Sequence, residues 1–191
     1  MTLMIKAIIF DFYGVIRSDE YHDWLSRHGL EKDNTASMTK EQDAGLKTSD
    51  QFFDDLSRKS HIPADKIKRE FRSHATLNEK LLALILKLKD NFQIAILSNA
   101  NSASLRDILR DSSIEQLFDE VIISSEIGMI KPSPEIFSHA LKKIGVEPNE
   151  AIFIDDNQSF VEAANKLGLI GICFTDFDSL VKQLKIIGLN F

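Results

Sequence analysis

The chain has 191 residues, 43% of them hydrophobic, enough for one compact domain or one domain with a modest insertion. Its formal charge of -6 disfavours nucleic acid and anionic membrane surfaces as partners, since both attract a basic face. The single cysteine, Cys173, excludes an intrachain disulfide framework, and its place in the apolar run 170–174 predicts an inert core thiol.

Along the chain, Ala7, Ile8, Ile9 and Phe10 run straight into Asp11, and Gly14 follows three residues later. Such a run reads as a buried strand, placed at 5–10, that ends at a turn. Lys6 interrupts it and Asp11 stops it, so no signal peptide and no membrane span are expected and a cytoplasmic setting is the default. The next strand comes only at 92–97. Between them lie helical patterns at 18–28, 40–46, 49–60, 63–73 and 78–89. Thr48 with Gln51 makes a capping box, and Pro63 suits a first helical turn. The last of these helices returns to the sheet. The others form an all-helical insertion, which divides the chain into a core of residues 1–16 and 77–191 and an inserted unit of residues 17–76.

From there strands and helices alternate. Strands are expected at 92–97, 120–124, 151–154 and 170–174, with helices at 102–111, 134–144, 160–167 and 177–187. Pro134 stands near the start of its helix, and Gly145, Gly168 and Gly188 follow helix ends. This spacing argues for right-handed crossovers and an α/β fold: a doubly wound, five-stranded, parallel Rossmann-like sheet.

Polar groups recur at the same end of these strands. Asp11 ends the first, Ser98-Asn99 the second, and Asp155-Asp156 the fourth, while Lys131-Pro132 follows the third after a short loop. In a parallel sheet they share the rim where ligands bind. Each also has a plainer reading. Asp11 can close a strand turn, Ser98-Asn99 can be a polar turn, Lys131 can be a solvated loop lysine, and Asp155-Asp156 can be a helix cap and a solvated acid.

The ordered set Asp11, Ser98, Lys131 and Asp155-Asp156 resembles the four motifs of the haloacid dehalogenase-like hydrolase superfamily. The stretch Ser124-Ser125-Glu126-Ile127-Gly128 before Lys131-Pro132-Ser133-Pro134-Glu135-Ile136-Phe137 is typical of its phosphatase-like subgroup with a small helical cap. The resemblance covers nearly the whole chain. It implies that residues 17–76 form a cap over the site. It implies Asp11 as a nucleophile that forms an aspartyl-phosphate, which water then cleaves. Three acids at one rim repel each other without a hard cation, so Mg2+ is the expected cofactor. The resemblance assigns Asp11, the Tyr13 main-chain carbonyl and Asp156 as direct ligands, with Asp155 close by. Ser98 and the Asn99 backbone can donate to phosphoryl oxygens, and Lys131 can neutralise both the phosphate and Asp11. A small phosphorylated substrate and a monomer or weak dimer are expected.

The sequence departs from the family pattern in two places. Most phosphatases of the superfamily carry a second aspartate two residues after the nucleophile, where this chain has Tyr13. A phenol with an ordinary pKa near 10 is a poor general base at neutral pH. Activity is then expected to be slow, to depend on an activated leaving group, or to use a cap residue instead. Phe160 is the second departure, standing where Asn or Asp is common. Tyr13 also resembles the metal-independent 2-haloacid dehalogenases, which leaves that chemistry as one alternative. A catalytically weak, ligand-binding member is the other. No histidine falls in a motif position, and Trp24, Phe52, Phe53 and Phe71 are expected to pack the cap.

Overall fold

The computed structural model describes residues 4–31 and 35–191. Its centre is a parallel sheet of β1 (Ala7–Phe10), β2 (Gln93–Ser98), β3 (Glu120–Ile123), β4 (Ala151–Asp155) and β5 (Ile170–Cys173). The strands lie in the order β3-β2-β1-β4-β5. β1 is thus the middle strand, and all four of its residues are fully buried.

Side chains alternate between the two faces of the sheet, and helices cover both. Ile8 and Phe10, with Ile94, Ile96, Ile152 and Ile154, face α5 (Glu79–Leu88), α6 (Ser102–Asp111) and α10 (Phe177–Ile186). Ala7 and Ile9, with Ala95, Leu97, Ala151 and Phe153, face α8 (Pro134–Ile144) and α9 (Gln158–Leu167). Among the described residues, no helix is long and apolar enough to cross a membrane.

Among the described residues, four helices lie between β1 and α5. They are α1 (Glu20–Arg27), α2 (Ala36–Asp43), α3 (Ser49–Ser60) and α4 (Ala64–His74). They pack a small core of their own from Trp24, Leu25, Met38, Phe52, Leu56 and Ile67, with Phe53 and Phe71 against it. The expected capping box of Thr48 and Gln51 opens α3. The chain enters and leaves this insertion side by side. Arg17 and Leu77 form an antiparallel bridge, the Ser18 amide donates to Thr76 at 2.9 Å, and the Asn78 amide donates to Ile16 at 2.9 Å.

Most element boundaries fall within two residues of the sequence reading, and three of the differences have an evident cause. The helix expected at 40–46 is α2, which begins and ends earlier. Its buried apolar residue is Met38, whereas Leu46 is 76% exposed and Gly45, at φ +76, lies beyond the helix end. Ser124 opens a four-residue helix, α7 (Ser124–Ile127), instead of extending β3. α9 begins two residues early because the Asn157 side chain accepts from the Ser159 amide and caps it.

Candidate active site

The strand order reverses about β1, so the crevice beyond the ends of β1 and β4 is the topological switch point. Phe10 and Ile154 are register partners, and the Asp11 amide donates to the Ile154 carbonyl at 2.8 Å. The next residue on each strand is therefore an acid, and Asp11 and Asp155 meet. Asp156 joins them, and one carboxylate oxygen from each of the three lies within 4.8 Å of the others.

Lys131 enters this cluster from the α7–α8 loop. Its Nζ lies 2.6 Å from Asp155 Oδ2 and 3.0 Å from Asp11 Oδ1, and its side chain has no solvent exposure. The rings of Phe153 and Phe160 lie 5.5 and 5.1 Å from the ammonium. Phe160, a departure in sequence, thus presents its ring to the lysine ammonium. Burial works against the charge on Lys131, but Asp11 and Asp155 outweigh it and hold the pKa above its ordinary value. The Asn99 side chain grips the lysine's backbone on both sides. Its Oδ1 accepts from the Lys131 amide at 2.8 Å and its Nδ2 donates to the Lys131 carbonyl at 3.0 Å.

Burial raises the Asp11 carboxyl to about 7; Lys131 opposes the rise and Asp155 adds to it. Asp156 is raised as well, by burial first and then by Asp155 and Asp19. The cluster is under-compensated for its burial, which suits a hard cation with oxygen ligands. A second observation fits the same group. Gly14 has φ +83, and a β-carbon there would fall 2.3 Å from Asp156 Oδ2. The loop is therefore pared to backbone where it meets that carboxylate. Asp11, Asp155, Asp156 and the neighbouring backbone thus form a donor set that fits Mg2+.

Ser98 ends β2 fully buried, and among the described residues its Oγ has no hydrogen-bond partner. An unpaired buried hydroxyl costs about 1–3 kcal/mol, so it is primed to donate to an incoming oxygen. Tyr13 is pushed up to about 12, chiefly by burial, with Asp43, Asp19 and Asp11 adding to it against Arg17. The Arg17 guanidinium lies 5.8 Å from the centre of the Tyr13 ring. Cys173 departs from its expected place. It is half-buried at the end of β5, with Sγ 3.6 Å from the Asp156 carbonyl.

The structure thus brings Asp11, Ser98, Asn99, Lys131, Asp155 and Asp156 to one rim, with the Tyr13 backbone on the loop between Asp11 and Gly14. It adds two acids that the sequence did not single out. Asp19 caps α1, and although burial opposes it, its bond to His22 holds its carboxyl below the usual value. Asp43 ends α2 and is raised to about 7, chiefly by burial. Both act electrostatically on Tyr13. No sequence signal marked either one, because their nearness to the rim depends on how the insertion folds back.

The description "haloacid dehalogenase-like hydrolase" belongs to the family whose sequence model matches residues 5–168. The chain belongs to this family of hydrolases. A sesquiterpene phosphatase of Aspergillus oryzae is 29% identical over 97% of each chain. A D-ribitol-5-phosphate phosphatase of Bacteroides thetaiotaomicron is 28% identical over 86% of this chain and 89% of its own. Two longer curated relatives are matched over only part of their length, 36% of a drimenol cyclase from Aspergillus calidoustus and 22% of a rat bifunctional epoxide hydrolase. Among solved structures, a haloacid dehalogenase family enzyme of B. thetaiotaomicron in complex with magnesium and inorganic phosphate superposes with a TM-score of 0.75. It is 24% identical and covers 92% of this chain and 98% of its own, a likeness of fold.

Proposed function

We propose that this chain hydrolyses the phosphomonoester of a small metabolite with Mg2+ as cofactor. The observation that carries the reading is the trio Asp11, Asp155 and Asp156, with oxygens within 4.8 Å, beside the enclosed Lys131. The two phosphatase relatives matched over most of their length support it. Asp156 favours it over metal-free dehalogenation. Asp155 has a partner in Lys131, but Asp156 has no such ion pair among the described residues.

In this reading Asp11 attacks phosphorus. Its carboxylate oxygen bonds to phosphorus while the ester oxygen leaves, and water later releases phosphate from the aspartyl-phosphate. Lys131 neutralises the phosphoryl group and holds Asp11 in place. The Ser98 hydroxyl and the Asn99 amide donate to phosphoryl oxygens. Asp11, the Tyr13 carbonyl and Asp156 would hold magnesium, with Asp155 nearby, and the bound ion would supply charge neutralisation for the transferring group. Residues 17–76 act as a cap over a core of residues 1–16 and 77–191.

A panel of phosphate esters, assayed for phosphate release with and without Mg2+, tests this. Magnesium-dependent release is expected. Chloride release from 2-chloropropionate without metal, and no phosphate from any ester, would overturn it.

A further inference from the structure

We propose that Asp43, carried on the helical insertion, supplies the acid and base that the Asp11 loop lacks. The inference rests on the phosphatase reading above. Ester cleavage leaves an alkoxide that needs a proton, and the following hydrolysis needs that proton taken from water. Tyr13 stands where the loop would provide such a group, but its phenol stays protonated far above neutral pH.

The end of α2 is fastened to the sheet rim. Ser124, fully buried at the end of β3, donates its hydroxyl to the Asp43 carbonyl at 2.5 Å and accepts from the Ala100 amide at 3.0 Å. Gly45 then lies so close to the rim that a β-carbon would meet the Ser125 carbonyl at 2.7 Å. The backbone of residues 43–45 is thus seated between the ends of β2 and β3, and its anchorage does not use the Asp43 side chain.

That side chain is half-buried, and its charged neighbours belong to the site. Lys131 and Asp19 act on it, and it acts in turn on Tyr13 and Tyr21. Burial first, and Asp19 second, raise its pKa to about 7 against the pull of Lys131. A group that titrates there can give and take a proton at neutral pH. Asp19 is unsuited, since its bond to His22 keeps it ionised.

The steps balance. Asp11 bonds to phosphorus, the phosphorus–ester oxygen bond breaks, and the Asp43 carboxylic acid passes its proton to the departing oxygen, giving an alcohol. Water then bonds to phosphorus, its proton goes to the Asp43 carboxylate, and the Asp11–phosphorus link breaks. Phosphate leaves, and both acids return to their starting states.

The test compares wild type with Asp43→Asn, in Mg2+, on glycerol phosphate and 4-nitrophenyl phosphate. Turnover of the alkyl ester should fall by about 10²–10⁴-fold. The aryl ester, whose leaving group needs no acid, should give a burst of nitrophenol equal to the enzyme present, followed by slow turnover. Acid quenching should trap phosphorylated Asp11. Loss of packing alone moves neither leaving-group preference nor the burst. Equal loss on both esters without a burst, or no loss, overturns the assignment. If Asp43→Asn does not fold, wild-type kcat/KM across esters of rising leaving-group pKa decides: a flat dependence supports a proton donor, a steep one excludes it. If wild type releases phosphate from no ester, the phosphatase reading itself fails and this inference with it. An active wild type and an unchanged Asp43→Asn would sink Asp43 alone.

Discussion

Lys131 and Asp155 form an ion pair at 2.6 Å, and neither side chain has any solvent exposure. A pair so enclosed leaves an uncompensated charge when one member is removed. Lys131→Met should therefore destabilise the protein by about 3–5 kcal/mol, far more than a surface lysine change. Asp155→Asn should also destabilise it. Urea unfolding of each variant checks this, and a loss below 1 kcal/mol for Lys131→Met would count against it.

Asp11 behaves differently, because Asp155 repels its charge and burial disfavours it. Asp11→Asn removes that charge without changing shape. Turnover and acid-trapped phosphoenzyme should both vanish, while the unfolding midpoint stays at or above that of wild type. Phosphoenzyme that persists in this variant points to another nucleophile.

Gly14 meets Asp156 where no side chain fits, and its φ of +83 strains any other residue. Gly14→Ala should lower the melting temperature and displace Asp156. Mg2+ should raise the wild-type melting temperature, with a smaller rise in Gly14→Ala and in Asp156→Ala. Thermal unfolding with and without Mg2+ reads all three. An equal metal-induced rise in all of them would remove Asp156 from the metal site.

Ser98 has a buried hydroxyl without a partner among the described residues. Its removal relieves that cost, so Ser98→Ala should leave stability unchanged or raise it by up to about 1 kcal/mol. Affinity for inorganic phosphate should fall, as titration calorimetry in Mg2+ would show. A destabilised Ser98→Ala with wild-type phosphate affinity would make the hydroxyl structural.

Asp43 has a pH signature in stability. Its folded pKa, about 7, lies above the ordinary value of 3.8. The folded state therefore binds its proton more tightly than the unfolded state. This contribution is complete below about pH 4 and is lost as pH rises through about 7. Asp43→Asn lacks the group. The two proteins should match at pH 4, and the variant should be more stable at pH 8 by roughly 1–2 kcal/mol after solvent screening. Metal-free urea unfolding at the two pH values measures it.

The rim was legible in the sequence because apolar strands run directly into their polar ends. Ala7–Phe10 before Asp11 and Ala151 to Ile154 before Asp155 are such cases. The parallel order then brings the ends together, as expected. Lys131 was seen, but its complete enclosure was not, since two aromatic rings and two acids from distant segments produce it. Asp43 was invisible for a related reason. Its helix has a single buried residue, Met38, and so a weak apolar stripe. Its place at the rim comes from a hydroxyl on Ser124, 81 residues away.

The paired entry and exit of the inserted helices make the chain modular in an engineering sense. Among the described residues, no strand pairing of the sheet draws on residues 17–77. Ile16 and Asn78 are already joined by a 2.9 Å hydrogen bond, so a short reverse turn suffices to link them. The inserted helices should then be exchangeable for another set, as one changes the head on a fixed handle, and a chimera that keeps its fold would show it. The residues from Ser98 to Asp156 would travel with the handle, and Asp43 would leave with the head.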